Sequence, residues 1–295
     1  MPNTERSLHQ LEKIVALAAL AAVLALTIGF AQAGEPRKPA EKADPVHLRS
    51  AVALVQDATS GETLYAKNQD AILPIASITK LMTPMVILDA GLNLEQRVAI
   101  SDEDYDFVKG TRSRLRPGTV LTRDELLLLA LMSSENRAAA SLARTSPGGV
   151  EPFVAAMNAK ARALGMNDTR FVDPTGLSSA NVSSAQDLAR LVAAAHAYPL
   201  IRQYSTRESA TVHALGRPLD YRNTNGLVRN AQWEIGLSKT GYISEAGRCL
   251  VMRVRMASRE VIVVLLDSWG KFSRIGDANR LKKWLEANAV RGPRG

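Results

Sequence analysis

The sequence predicts an α/β (α+β) fold in which an antiparallel sheet, built from both ends of the chain and flanked by helices, carries an inserted all-helical lobe. Two observations predict it. Short apolar, strand-like runs occur near both ends, at 51–55 and again at 249–256 and 261–266. Between them, from 122 to 197, apolar residues recur at helical spacing. Strands at both ends with helices between close most simply as one sheet with a helical insert. At 295 residues and 46% hydrophobic content, the chain has enough apolar surface for a sizeable core without covalent staples.

The elements follow in order. Residues 1–33 have the form of an export signal: Lys13, an apolar run from Ile14 to Phe30, and the small-residue site Ala31-Gln32-Ala33. A membrane anchor is the competing reading, but that run of 17 residues is at the short edge for crossing a bilayer. Cleavage after Ala33 is therefore expected, which places the mature protein in the periplasm with no integral membrane segment. Residues 34–46 are rich in proline and charge and read as a linker. The main domain is expected over 47–289, with a short tail at 290–295.

Ala51–Val55 and Glu62–Ala66 flank the turn cluster Asp57-Ala58-Thr59-Ser60-Gly61, a hairpin signal. A helix start follows Pro74, with Ile78, Leu81, Met82, Met85 and Val86 at helical spacing. Pro84 lies inside this helix, where its ring clashes with the carbonyl of Lys80 at a cost of about 3 kcal/mol. The expectation is a kink or irregular turn near Lys80–Pro84. Residues 122–132 are apolar nearly all round, so that helix is buried, with Asp124 and Glu125 at its positive end. A small-residue helix runs to Arg144, and Pro147-Gly148-Gly149 breaks it. Further helices are expected at 150–164 and 183–197, the latter capped by Ser184. Asp173-Pro174-Thr175-Gly176 is a turn. Leu237–Thr240, Cys249–Met256 and Val261–Leu266 read as strands, and 278–289 as a helix presenting Leu281, Trp284 and Leu285 on one face.

Composition excludes several function classes. The one cysteine, Cys249, permits no internal disulfide. The four histidines have no metal-type spacing, and no phosphate loop or dinucleotide fingerprint is present, so no cofactor is expected. A net charge of +8 suits an anionic partner. The basic residues are spread along the chain and aromatics make up only 5%, which does not favour nucleic acid.

Three short motifs carry the chemistry. Ser77 and Lys80 are three residues apart, so on a helix they share a face, and an amine there can take the proton of a serine hydroxyl. Ser134-Glu135-Asn136 follows 57 residues after Ser77, just past the buried helix. Lys239-Thr240-Gly241 comes 105 residues after Ser134, on a strand. Each is weak alone; in this order and context they are specific.

With these motifs the chain resembles the low-molecular-mass penicillin-binding proteins, serine D-Ala-D-Ala peptidases. The resemblance covers roughly 48–288. The stretches SITKLMT (77–83), LMSSENRAAASLA (131–143), DPTGL (173–177), RNTN (222–225) and KTGY (239–242) make it similar to the D-alanyl-D-alanine endopeptidase branch. It implies a β-lactamase/transpeptidase-like fold, peptidoglycan stem peptides as substrates and β-lactam antibiotics as covalent inhibitors. It also implies roles. Ser77 is the nucleophile and Lys80 its base, made neutral by burial and by the nearby Lys239; which lysine or relay acts first stays open. Ser134 passes a proton to the leaving amine. Asn136 holds Lys80 and the substrate amide. Lys239 and Thr240 bind the substrate carboxylate, and Gly241 keeps the strand open to the substrate backbone. The backbone N–H groups of Ser77 and Tyr242 form the oxyanion hole.

The alternatives are a carboxypeptidase that trims terminal D-Ala with the same site, and a non-catalytic wall-binding scaffold. A β-lactamase is disfavoured because 166–184 holds Asp168 and Asp173 but no glutamate to drive deacylation.

Overall fold

The computed structural model describes residues 46–290. The expected export signal, all but the last residue of the expected linker, and the tail after residue 290 lie outside the described residues. In chain order, β1 (Ser50–Asp57) and β2 (Thr63–Lys67) form the expected hairpin. Its turn is held by the Asp57 carboxylate, which accepts the N–H groups of Thr59 and Ser60 at 2.9 Å. After β3 (Leu73–Pro74), residues Ala76–Leu81 form a 3-10 turn, and α1 (Met82–Asp89) follows. The change from 3-10 to α geometry at 81/82 is the irregularity expected from Pro84, which stands third in α1 and needs no N–H partner there.

β4 (Arg97–Ala99) pairs with β5 (Val120–Thr122). Next come α2 (Arg123–Met132), α3 (Asn136–Arg144) and α4 (Val150–Ala163). α2 begins with a reciprocal cap in which the Thr122 hydroxyl accepts the Glu125 N–H and the Glu125 carboxylate accepts the Thr122 N–H. β6 (Val182–Ser183) pairs with β3, and α5 (Ala185–His196) starts on Ser184, whose hydroxyl accepts the Asp187 N–H. α6 (Pro199–Thr206) has Pro199 as its first residue, and β7 (Ser209–Ala214) and β8 (Arg217–Arg222) form a hairpin. The chain ends in β9 (Glu234–Ile243), β10 (Gly247–Met256), β11 (Arg259–Ser268) and α7 (Ser273–Val290), whose start precedes the expected residue 278.

The main sheet has the order β2-β1-β11-β10-β9 and is antiparallel, so the two chain ends do build it together. The inserted lobe is helical in bulk but not all-helical: the β4/β5 and β7/β8 ribbons are added to it. The central strands read as unbroken apolar runs because both faces are covered. Val52, Leu54, Val251, Ile262, Val264 and Leu266 face the core shared with α5 and the lobe. Their neighbours Ala53, Val55, Leu250, Met252, Val263 and Leu265 face Ala278, Leu281 and Leu285 of α7. Each such buried side chain contributes about 1.5–3 kcal/mol. Asp277 of α7 ties the two ends together, accepting the Ser50 N–H at 2.7 Å. Cys249 is buried between strands, and burial pushes its thiol up to about 11, so it behaves as a small apolar residue.

Candidate active site

The site forms where the 3-10 turn, the α2–α3 junction and β9 meet. Ala76 takes a left-handed φ of +47°, which turns the chain sharply before Ser77. In a 3-10 turn residues i and i+3 eclipse, so Ser77 and Lys80 stack more directly than on the α-helix the spacing suggested. Lys80 Nζ lies 2.9 Å from Ser77 Oγ. It also donates to Asn136 Oδ1 and to the Thr175 carbonyl, each at 2.6 Å. Its three donor positions are thus all matched while the side chain is wholly buried.

Ser134 stands between the end of α2 and the start of α3 with φ +62°, a strained value for serine. That conformation aims its hydroxyl at β9, where Lys239 Nζ donates to Ser134 Oγ and to the Thr240 carbonyl, both at 2.9 Å. Thr240 Oγ1 bonds Thr224 Oγ1 at 2.6 Å, and Asn225 donates to Ser238 Oγ at 2.8 Å, so the RNTN stretch braces the strand.

Gly241 lies close against the turn that carries Ser77. A Cβ there would meet the Ile75 carbonyl at 2.9 Å, and Ala76 Cβ and Ser77 N at 3.1 Å. The missing side chain makes room for the protein's own Ser77-bearing turn. Tyr242 follows, 57% exposed, with the Arg248 guanidinium 4.6 Å from its ring centre.

Ser77, Lys80, Ser134, Asn136, Lys239, Thr240 and Gly241 therefore share one cleft, and Tyr242 borders it. Residues that sequence reasoning missed complete it. Asn136 Nδ2 donates to Thr111 Oγ1 at 2.9 Å, and Thr111 Oγ1 donates to Asp106 at 2.6 Å. Asp106 also accepts the N–H groups of Val108, Lys109 and Thr111. This chain fixes which way the Asn136 amide faces. Arg274 donates to the carbonyls of Gly241 at 2.9 Å and Cys249 at 3.1 Å. The only sequence signal was an aspartate in a turn for Asp106; for Arg274 there was none, because the last helix was read as starting after it.

Burial lowers Lys80 to about 8, against the opposing pull of Asp173, Glu135 and Asp106. Burial also pushes Lys239 well down, helped by the charges of Lys80 and Arg274. Burial thus acts on Lys80 in the expected direction. The acids around Lys80 oppose the lowering there, whereas the cations around Lys239 add to it.

A hydroxyl held by one buried amine, beside a second amine on a second hydroxyl, is equipped for acyl transfer. No cluster of residues able to hold a metal ion exists among the described residues.

A family model described as D-alanyl-D-alanine carboxypeptidase matches residues 38–270. D-alanyl-D-alanine endopeptidases of Pseudomonas aeruginosa and Escherichia coli are 49% and 46% identical to this chain over 270 residues, covering 90% of it and 87% of each relative. The crystal structure of the Streptomyces K15 DD-transpeptidase matches with a TM-score of 0.75 at 28% identity, covering 81% of this chain and 98% of that one. The expected transpeptidase-type fold is thereby established.

Proposed function

This chain belongs to the D-alanyl-D-alanine carboxypeptidase family of serine peptidases, and from that premise we propose that it is a D-alanyl-D-alanine endopeptidase that opens peptide cross-links of peptidoglycan. The observation that carries the reading is the pair of contacts Lys80–Ser77 and Lys239–Ser134, each 2.9 Å, meeting in one cleft. The endopeptidase names of the two relatives above favour cross-links over terminal residues as substrate.

The chemistry runs in two halves. The substrate carboxylate docks on Lys239 and Thr240, and its charge favours an ammonium at Lys239. Lys80, in its neutral form, takes the Ser77 proton. Ser77 Oγ then bonds to the D-alanyl carbonyl carbon. The oxyanion that forms is held by the N–H groups of Ser77 and Tyr242; one such donor is worth about 2.7–4 kcal/mol. The C–N bond breaks as a proton reaches the leaving amine through Ser134, leaving an ester on Ser77. Water hydrolyses that ester and restores the hydroxyl. Penicillin enters by the same first half and stays as the acyl-enzyme.

The enzyme acts in the periplasm after cleavage following Ala33. The support for this is the charged start, the apolar run and the Ala31-Gln32-Ala33 site. Among the described residues no helix is long and apolar enough to cross a membrane.

The carboxypeptidase description of the family model keeps the trimming of terminal D-Ala as the second reading. Incubation with purified cross-linked dimers and monomeric pentapeptide muropeptides, read by mass, separates the two. Conversion of dimers to monomers supports the endopeptidase. Loss of terminal D-Ala alone, with dimers intact, contradicts it.

A further inference from the structure

The Lys109 ammonium and the Glu245 carboxylate form an ion pair between segments far apart in the chain. They belong to different walls of the cleft. Lys109 lies in the loop that Asp106 folds and that Thr111 ties to Asn136 at 2.9 Å. Glu245 lies in the turn between β9 and β10, just beyond Tyr242. The pair therefore spans the cleft from the Asn136 wall to the β9 wall, at the Tyr242 end. Its side chains keep 26% and 42% of their exposure, so both charged heads remain reachable.

The direction of the substrate follows from the D,D-peptidase reading, on which this inference rests. The leaving residue's carboxylate goes to Lys239 and Thr240, and the carbonyl being attacked faces the Tyr242 N–H. The acyl chain then continues past Tyr242 toward Ser244 and Glu245. β9 is an edge strand of the sheet, so an extended peptide lies along it with side chains alternating. The residue preceding the cleaved D-alanine reaches the Lys109–Glu245 pair.

We propose that Lys109 and Glu245 form a specificity site for that residue, selecting a side chain that ends in both an ammonium and a carboxylate. The substrate ammonium goes to Glu245 and the substrate carboxylate to Lys109, in place of the contact the two make with each other. A side chain with one charge breaks the pair and leaves one partner unmatched. An uncharged side chain leaves the pair closed and gains nothing from it. Only a zwitterionic end satisfies both halves. The two heads are held for this. The second oxygen of Glu245 accepts the Ser244 hydroxyl at 2.7 Å, and the Lys109 backbone N–H is fixed on Asp106 at 2.8 Å.

The test uses three peptides ending in D-Ala-D-Ala that differ only in the preceding residue: meso-diaminopimelate, lysine or norleucine. The wild type should prefer the first over the other two by about fivefold in kcat/KM, as expected for partly exposed charge pairs. Lys109→Ala should erase the preference for diaminopimelate over lysine, and Glu245→Ala should reduce the preference for diaminopimelate over norleucine. Single variants in which all three peptides slow equally would overturn the proposal, because a bridge that only braces the loop acts on every peptide alike. Labelling by fluorescent penicillin keeps the two readings apart. Wild type that takes label while its ratios show no preference overturns this inference alone, whereas wild type that takes no label overturns the peptidase reading beneath it.

Discussion

Gly176 rests against the carbonyl of Ala76, the residue just before Ser77: a Cβ on Gly176 would collide with that oxygen. Gly176 also has φ +81° and follows Thr175, whose carbonyl accepts from Lys80. The Asp173-Pro174-Thr175-Gly176 turn thus braces both members of the Ser77–Lys80 pair from behind. Pro174 adds to this by accepting the Thr83 hydroxyl at 2.7 Å.

Gly176→Ala should therefore damage fold and site together. The methyl must displace backbone and the residue must keep a left-handed φ, a combined cost of about 3 kcal/mol. Denaturant unfolding should show a lowered midpoint, and acylation by penicillin should slow by more than about tenfold, since a tenfold loss needs only about 1.4 kcal/mol at the reacting centre. An unchanged midpoint would mean that the turn does not press on Ala76.

Acylation should depend on pH through Lys80. The neutral amine is the active form, and Lys80 titrates at about 8 in the empty site. The second-order rate of penicillin acylation, which reports the free enzyme, should rise with pH and level off above about 8. Glu135 opposes the lowering, so Glu135→Gln removes a negative charge that favours the ammonium and should move the midpoint to lower pH. A midpoint that rises in this variant, or a rate that falls between pH 6 and 8, would contradict Lys80 as the base.

Ser134 offers a way to separate strain from chemistry. Its φ of +62° costs a serine or alanine roughly 1 kcal/mol, and glycine almost nothing. Ser134→Gly should be more stable than Ser134→Ala by about that amount. Both should lose peptidase turnover, because both remove the oxygen that accepts from Lys239. Equal melting temperatures would deny the strain, and wild-type turnover in either variant would deny the proton relay.

The penicilloyl-enzyme should persist. In the stretch 166–184, Asp173 is committed to its turn, accepting the N–H groups of Thr175, Gly176 and Ser178, while Asp168 is exposed. Neither is placed to activate water at Ser77. Mass spectrometry after removal of free penicillin should show the adduct for minutes or longer; release at many turnovers per second would contradict this.

Much of this was legible in the sequence because the signals were local. Asp124 and Glu125 announce the start of α2, Ser184 announces α5, and the apolar runs of β10 and β11 announce strands. The motif serines and lysines were legible through spacing and order. The β7–β8 hairpin was missed although its residues alternate in burial, because its turn puts Leu215 at φ +50° beside Gly216, and leucine gives no turn signal. Asp106, Thr111 and Arg274 were not legible. Their partners are an amide, a hydroxyl and two backbone carbonyls far away in the chain, and nothing near them in the sequence records those contacts.

The account turns on the Ser77 hydroxyl being the group that accepts the acyl chain. The most direct measurement is fluorescent penicillin labelling of the mature protein, with the adduct mapped by peptide mass. The account predicts one adduct on Ser77, no label in Ser77→Ala, and greatly slowed labelling in Lys80→Ala. Label retained in Ser77→Ala, or an adduct mapped to another residue, would contradict it.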